Sequence, residues 1–272
     1  MISSEHSGGV EQVEFSYSDN ATQVSGALGD SRTYSHELIH GVRKITDVSG
    51  DRCTTCGNGQ LQSRSYDSNG FLIGYRDWNG NETRITRNAR HLIENRTEAA
   101  GTSQERSVTT EWHPDFAQPV RIVEPERTVE LVYDPERRLL SRSLLDSATG
   151  ERRTTTYSYH PDGTPGAGLI AAIDGPRSDV SDIISYEYDE QGNLNTVINP
   201  LGQATRITAH DPSGRPLTLV DPNGLTTQLT YDLRGRLISQ GVSDGVTTRT
   251  TGYTYDEACL LYTSDAADDE TS

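Results

Sequence analysis

Cys53-Thr54-Thr55-Cys56 is a cysteine pair at ligand spacing. His36-x-x-x-His40 stands upstream, with twelve residues between His40 and Cys53. Thiolate and imidazole are the donors that a tetrahedral zinc site uses, and a C-x-x-C pair can also cycle between thiol and disulfide. Three readings follow: half of a metal site completed by His36 and His40, a disulfide, or a pair of structural thiols. His40-Gly41 reads as a hairpin turn and His36 as a strand position, which favours the structural thiols. No metal or other cofactor is therefore expected.

Other spacings invite chemistry and are better read as turns. His-Pro-Asp occurs twice, at Trp112-His113-Pro114-Asp115 and Tyr159-His160-Pro161-Asp162. It resembles the loop of chaperone J-domains, but the helices that flank that loop are missing, and both copies follow an aromatic. Asp77-x-Asn79-Gly80-Asn81-Glu82 offers oxygen ligands for calcium but lacks a later bidentate acid at fixed spacing. A carboxylate pair for glycoside hydrolysis cannot be singled out among 40 acids. No nucleophile elbow, phosphate loop or two-histidine zinc helix is present. The sequons at Asn20, Asn81 and Asn95 read as idle in an arginine-rich, lysine-poor chain, a usage that fits a GC-rich bacterial genome. No catalytic residue is expected.

The elements that carry these residues must be unusual. The chain has 272 residues, 24 basic and 40 acidic side chains, and a formal net charge of −16. Only 32% of residues are apolar, and the mean hydropathy is −0.67. That argues against a thick single core. Thirteen Tyr and 25 Gly argue equally against a disordered acidic chain. Strong acidity excludes nucleic acid as a partner, because phosphates would be repelled. No apolar stretch approaches the roughly 20 residues of a membrane helix, and Met1 to His6 shows no signal-peptide pattern.

The sequence instead repeats itself. Tyr66-Asp67-x-x-Gly70, Tyr188-Asp189-x-x-Gly192 and Tyr231-Asp232-x-x-Gly235 match directly, and His210-Asp211-x-x-Gly214 fits with His for Tyr. Tyr133-Asp134 and Tyr255-Asp256 open further copies, and Asn88 takes the Asp place in a degenerate one. A second element alternates with the first: Asp77-Trp78-Asn79-Gly80, Asn199-Pro200-Leu201-Gly202 and Asp221-Pro222-Asn223-Gly224. Each of these glycines is followed three residues later by Thr83, Thr205 or Thr227. Asp or Asn accepts from the backbone two residues on, and Gly supplies the positive φ that closes a turn. Between turns lie about six Thr-, Tyr-, Val-, Ile- and Leu-rich residues, the length of a strand.

The resulting expectation is an all-β chain, an antiparallel array of hairpins. Tyr157 and Tyr159, Tyr186 and Tyr188, and Tyr253 and Tyr255 share a face by period two. One face is then aromatic and the other rich in hydroxyls. Tyrosines of successive repeats are expected to pair across strands, at about 0.2–1 kcal/mol each. Residues 1–60 read as degenerate N-terminal β repeats and 61–258 as the array. Residues 259–272 stand apart. TGT CTC TTA TAC ACA TCT GAC GCT GCC GAC encodes Cys259 to Asp268 and resembles a transposase-type sequencing adapter. This tail is expected to be non-native.

On the Tyr-Asp-x-x-Gly and Asp-Pro-x-Gly-x-x-Thr units, the chain resembles the RHS/YD-repeat family over about residues 10–258. Cys53-Thr54-Thr55-Cys56-Gly57 is similar to sequences of bacterial members. The resemblance implies a spiralling sheet of hairpins that forms a hollow β-shell. In bacterial relatives that shell encloses a C-terminal toxin for delivery to competing cells. It implies as partners the remainder of the shell, the toxin domain and secretion-apparatus tip proteins, and a secreted or cell-surface location in a bacterium. The family's Pro- and Asp-rich cleavage motif is similar to Asp221-Pro222-Asn223-Gly224-Leu225, but repeats flank that segment on both sides. It reads as an ordinary turn, and the chain as wall only.

The wall's acidity is expected to face partly inward and to favour a basic cargo. Two rival functions remain. An adhesin or carbohydrate-binding module would bind glycans on Trp78, Trp112 or exposed Tyr. A β-solenoid-like polysaccharide hydrolase would need a clustered pair of acids.

Overall fold

The computed structural model describes residues 2–6, 10–26, 29–50, 61–256 and 261–269. Cys53, Cys56 and Cys259 lie outside them. Among the described residues every regular element is a strand, and two compact units divide the chain. Unit 1 holds residues 1–131 and 144–151, unit 2 residues 132–143 and 152–272.

Unit 1 begins with β1 (Ile2–His6), β2 (Val10–Tyr17), β3 (Ala21–Gly26), β4 (Ser31–Ile39), β5 (Val42–Gly50) and β6 (Leu61–Tyr66). It continues with β7 (Leu72–Asp77), β8 (Glu82–Arg87), β9 (Ile93–Glu98), β10 (Arg106–Trp112) and β11 (Pro119–Val123). Strands β12 (Arg127–Tyr133) and β13 (Leu139–Asp146) contribute to both units. Unit 2 continues with β14 (Arg152–Tyr159), β15 (Ile170–Asp174), β16 (Ile184–Tyr188), β17 (Leu194–Ile198) and β18 (Ala204–His210). Its last strands are β19 (Pro216–Val220), β20 (Thr226–Tyr231), β21 (Leu237–Ser243), β22 (Thr248–Tyr255) and β23 (Leu261–Asp269). Within each unit, strands that follow one another in the chain pair antiparallel. Leu261–Asp269, in the expected non-native tail, pairs with β22.

The alternation of turns becomes an alternation of strand ends. Every even-numbered strand from β6 to β22 ends on the first residue of a motif: Tyr66, Arg87, Trp112, Tyr133, Tyr159, Tyr188, His210, Tyr231 and Tyr255. Within each unit the Tyr-Asp turns therefore lie at one end of the strands and the Asp-Pro-x-Gly type at the other.

Register sorts the side chains onto two faces, the first aliphatic more than aromatic. In unit 2, Tyr186 opposes Val197, which opposes Thr205. Ile207 opposes Leu219, Leu219 opposes Thr227, and Thr227 opposes Val242. The alternate row is more polar but mixed: Arg206 opposes Val220, Val220 opposes Thr226, Thr226 opposes Ser243, and Ser243 opposes Thr248. Little of this is deeply covered. Among the described residues the buried apolar set is Val48, Ile85, Ala100 and Val129, and no large side chain is fully buried. Cross-strand pairing and turns, not a thick core, hold such a sheet.

Two expectations need correction. The motif tyrosines do not pair ring to ring. Tyr66, Tyr188 and Tyr231 stand opposite Leu72, Leu194 and Leu237. Motif tyrosines occupy every second strand, about 9.5 Å apart at the usual spacing, which is too far for ring contact between small neighbours. Nor is the acidity of unit 2 spread over a face. Strands β14 to β22 carry only two acids, Asp174 and Glu187. The remaining acids of that stretch sit in turns and loops, where Asp189, Asp211, Asp221, Asp232 and Asp244 each accept from backbone N–H groups.

Candidate functional site: the motif turns and the ladder that joins them

The Tyr-Asp turn is a three-residue loop. In Asp189-Glu190-Gln191-Gly192-Asn193, the Gly192 N–H donates to the Asp189 carbonyl at 3.0 Å, and the Asp189 N–H donates to the Asn193 carbonyl at 2.9 Å. Asp189 Oδ1 accepts from the Gln191 and Asn193 N–H groups at 3.0 and 2.8 Å. Gly192 has φ +82°, where a Cβ would cost about 1–2 kcal/mol. This is a type I turn closed by a residue in the left-handed region. Asp67, Asp211 and Asp232 build the same loop with Gly70, Gly214 and Gly235.

The second element is the same turn. Asp77, Asn199 and Asp221 each accept on Oδ1 from two N–H groups, and Gly80, Gly202 and Gly224 take positive φ. Thr83 and Thr205 enter the next strand opposite Tyr75 and Val197, and Thr227 opposite Leu219. What separates the two classes is a β-bulge. Behind each Tyr-Asp turn the partner strand carries one extra residue, as between Thr230↔Ser239 and Tyr231↔Leu237. The Asp-Pro-x-Gly hairpins run without a shift. A bulge twists the strand and re-aims a side chain locally.

The motif's first residue stands opposite this bulge, and its side chain reaches the preceding motif turn. Tyr159 Oη donates to the Leu139 carbonyl at 2.8 Å, Tyr188 to Ile170 at 3.1 Å, and Tyr255 to Leu237 at 2.8 Å. Each acceptor lies two residues past a positive-φ residue, namely Arg137, Gly168 and Gly235. Tyr66 makes a comparable bond to Ile45 at 3.1 Å. The link survives where the letters do not. Trp112 Nε1 donates to the Ile93 carbonyl at 2.8 Å, two residues past His91. Arg87 Nη2 donates to Leu72, two past Gly70, at 3.4 Å.

Arginine four residues after the motif Asp supplies the rest of the connection. Arg138, Arg215 and Arg236 donate from Nε to Asp134, Asp211 and Asp232 Oδ2 at 2.6, 2.6 and 2.7 Å. Each guanidinium also lies over the tyrosine of the following motif: Arg138 over Tyr159 at 4.7 Å, Arg215 over Tyr231 at 4.8 Å, and Arg236 over Tyr255 at 4.5 Å from the ring centroid. The links run Asp211, Arg215, Tyr231-Asp232, Arg236, Tyr255-Asp256. Between Phe71 and Arg87 the pair is inverted, with the ring on the turn and the guanidinium on the strand, 5.4 Å apart.

Electrostatics follow these contacts. The backbone N–H and guanidinium of Arg215 hold Asp211 below the usual carboxylate range, and Arg236 does the same for Asp232. At Asp134 burial opposes ionisation, but the bonds from Arg138 outweigh it and the net direction is down. The Asn193 side chain lowers Asp189. Burial raises Tyr133, Tyr159 and Tyr188.

The other sequence candidates find ordinary structural partners. His36 lies in β4 with Nε2 2.9 Å from Thr22 Oγ1, and His40 is in the β4–β5 turn with φ +49° and Nε2 2.8 Å from the Ser68 carbonyl. No group of three metal-ligating side chains occurs among the described residues. Both His-Pro-Asp copies are variant motif turns. His160 takes the Asp backbone place, its N–H donating to Leu169 and its carbonyl accepting from Gly168, around a longer loop. His113 stacks on Phe116 with centroids 3.5 Å apart. Trp78 and Trp112 are half-buried, and the Trp112 N–H is spent on Ile93.

The comparisons agree with this architecture. Residues 210–248 match the RHS Repeat family model. No curated protein matches the chain. The crystal structure of TcdB2-TccC3 without its hypervariable C-terminal region is similar at TM-score 0.59 and 15% identity, covering 95% of this chain and 15% of that one. TcdB2-TccC3 itself aligns at TM-score 0.59 and 14% identity, covering 96% of this chain and 15% of that one. The Tc holotoxin pore of Photorhabdus luminescens aligns at TM-score 0.55 and 12% identity, covering 93% and 13%. The chain thus spans about a seventh of the length of these proteins. Residues 210–248 thus match an RHS repeat, and the hairpin array has the fold seen in those toxin-complex structures.

Proposed function

We propose that this chain is a length of non-enzymatic wall in a bacterial RHS-type shell, exported or displayed at the cell surface, which in the complete protein encloses a C-terminal toxin. The observation that carries the reading is the ladder: the first residue of one motif is fastened to the turn of the previous motif by a backbone hydrogen bond, an arginine contact, or both. A sheet built so grows by nearest-neighbour contacts and needs no thick core, as a container wall requires. The fold shared with TcdB2-TccC3 supports it.

The test uses the complete protein. Its C-terminal domain is expected to resist protease at concentrations that digest the same domain expressed alone. Opening the wall with Tyr159→Ala and Tyr188→Ala together should expose it. Equal digestion in both settings would overturn the reading.

A further inference from the structure

The two His-Pro-Asp turns differ in what their imidazoles do. In the turns opened by Asp67, Asn88, Asp189, Asp211 and Asp232, a side-chain oxygen accepts from the N–H two residues on. At His113 a ring nitrogen takes that place: the Asp115 N–H donates to Nδ1 at 3.2 Å. A backbone N–H only donates, so Nδ1 is unprotonated and the ring proton sits on Nε2. The acceptor of this turn is therefore one that an added proton removes.

The loop lacks the glycine closure of its relatives, with no residue of positive φ between 113 and 118. The His113 N–H donates to the Gln118 carbonyl at 2.9 Å, and the ring stacks on Phe116. Arg90, from the preceding motif turn, donates to the carbonyls of His113, Pro114 and Phe116 at 2.5, 2.7 and 3.4 Å. The loop's own charge is Asp115, whose Oδ2 lies 4.0 Å from Nδ1. Nδ1 thus has two alternative partners on one residue: an N–H that suits the neutral ring and a carboxylate that suits the charged one. The other charged or titratable groups of the neighbouring elements in unit 1 are engaged elsewhere. Arg87 donates to the His91 and Leu72 carbonyls, His91 stacks on Phe71, and Glu111 accepts from Arg121.

We propose that His113 is an acid-operated latch on the β10–β11 loop. Protonation at Nδ1 turns the acceptor into a donor. The Asp115 N–H loses its partner, and Nδ1–H turns to the Asp115 carboxylate. Closing that gap draws the ring off Phe116 and the loop carbonyls away from Arg90. The loop is fastened while the ring is neutral and released in acid. His160 is built otherwise. Its Nε2 lies 2.8 Å from the Tyr186 carbonyl, so the ring donates there, and a proton added at the other nitrogen leaves that bond intact. The inference is independent of the shell reading.

The test is amide hydrogen exchange on the full chain, expressed as protection relative to the unstructured rate. It compares about pH 7.5 with about pH 5, a window in which an ordinary imidazole titrates and an ordinary carboxylate stays charged. Protection of the Asp115 amide should fall about tenfold or more at the lower pH, while the Gly168 and Leu169 amides of the His160 loop hold theirs. His113→Asn keeps an acceptor oxygen at both pH values, as Asn88 does in its own turn, and should abolish the fall. Unchanged circular dichroism identifies a variant that has kept the fold, and the wild-type comparison needs no variant. Equal Asp115 protection at both pH values in wild type would overturn the proposal. So would a fall that persists in His113→Asn, or an equal fall at Gly168 and Leu169.

Discussion

The guanidinium of Arg236 lies 4.5 Å from the ring centroid of Tyr255, and the hydroxyl of that ring donates to the carbonyl of Leu237, the residue next to Arg236, at 2.8 Å. One side chain therefore grips the preceding turn at two adjacent residues. Arg236 holds Asp232 at the same time, so a single arginine joins the closure of its own turn to the seating of the next hairpin.

Removing only the hydroxyl tests the grip. Tyr159→Phe deletes the bond to Leu139 and leaves a half-buried carbonyl without that partner. It should destabilise the chain by about 1 kcal/mol, read as a lower denaturant midpoint at unchanged slope. An unchanged midpoint would mean that solvent satisfies Leu139 equally well.

The turn aspartate is tested by its two replacements. Asp232→Ala removes the acceptor of the Arg234 and Arg236 N–H groups. Asp232→Asn keeps one, as Asn88 and Asn199 do in their own turns. Thermal melts should rank wild type above Asn and Asn above Ala. Ala matching Asn would deny the carboxylate's part in closing the loop.

Gly192 isolates the backbone. Nothing lies within 4 Å of a Cβ built there, and its φ is +82°. Gly192→Ala should cost about 1–2 kcal/mol by conformation alone, and Gly192→Asn less. Equal stability of all three would show that the turn relaxes to another geometry.

Acid should loosen the ladder in a defined direction. Asp134, Asp211 and Asp232 are lowered in the folded chain, so the folded state binds fewer protons than the unfolded one. Their contribution is complete above the ordinary carboxylate range near pH 4. It is lost as pH falls through the lowered folded values. Stability against pH should be steeper on the acid side in wild type than in the triple Asp→Asn variant. Parallel curves would contradict the assignment.

Turns and strands were legible because Asp, Asn, Pro and Gly act locally: Asp189, Gly192, Asp221 and Gly224 dictate a loop from within five residues. Arg138, Arg215 and Arg236 were readable in principle, since they recur four residues after the motif Asp, yet an alignment that stops at Gly passes over them. The bulge was not readable. It arises from matching a twisted strand to a three-residue loop, and the extra residue may be Ile73, Asn195 or Ile238 without any shared chemistry. Nor was the equivalence of Tyr159, Trp112 and Arg87. They share a donor at one place in space, which only the fold defines.

The most direct test of the ladder is a double-mutant cycle on the full chain between Arg236 and Tyr255, set beside a cycle between Arg215 and Tyr255, by equilibrium unfolding of Arg→Met and Tyr→Leu variants. The first pair should couple by about 0.5–1 kcal/mol, and the second, one motif further apart, should be additive within about 0.3–0.5 kcal/mol. Additivity in both cycles would contradict the claim that each motif is fastened to the turn before it.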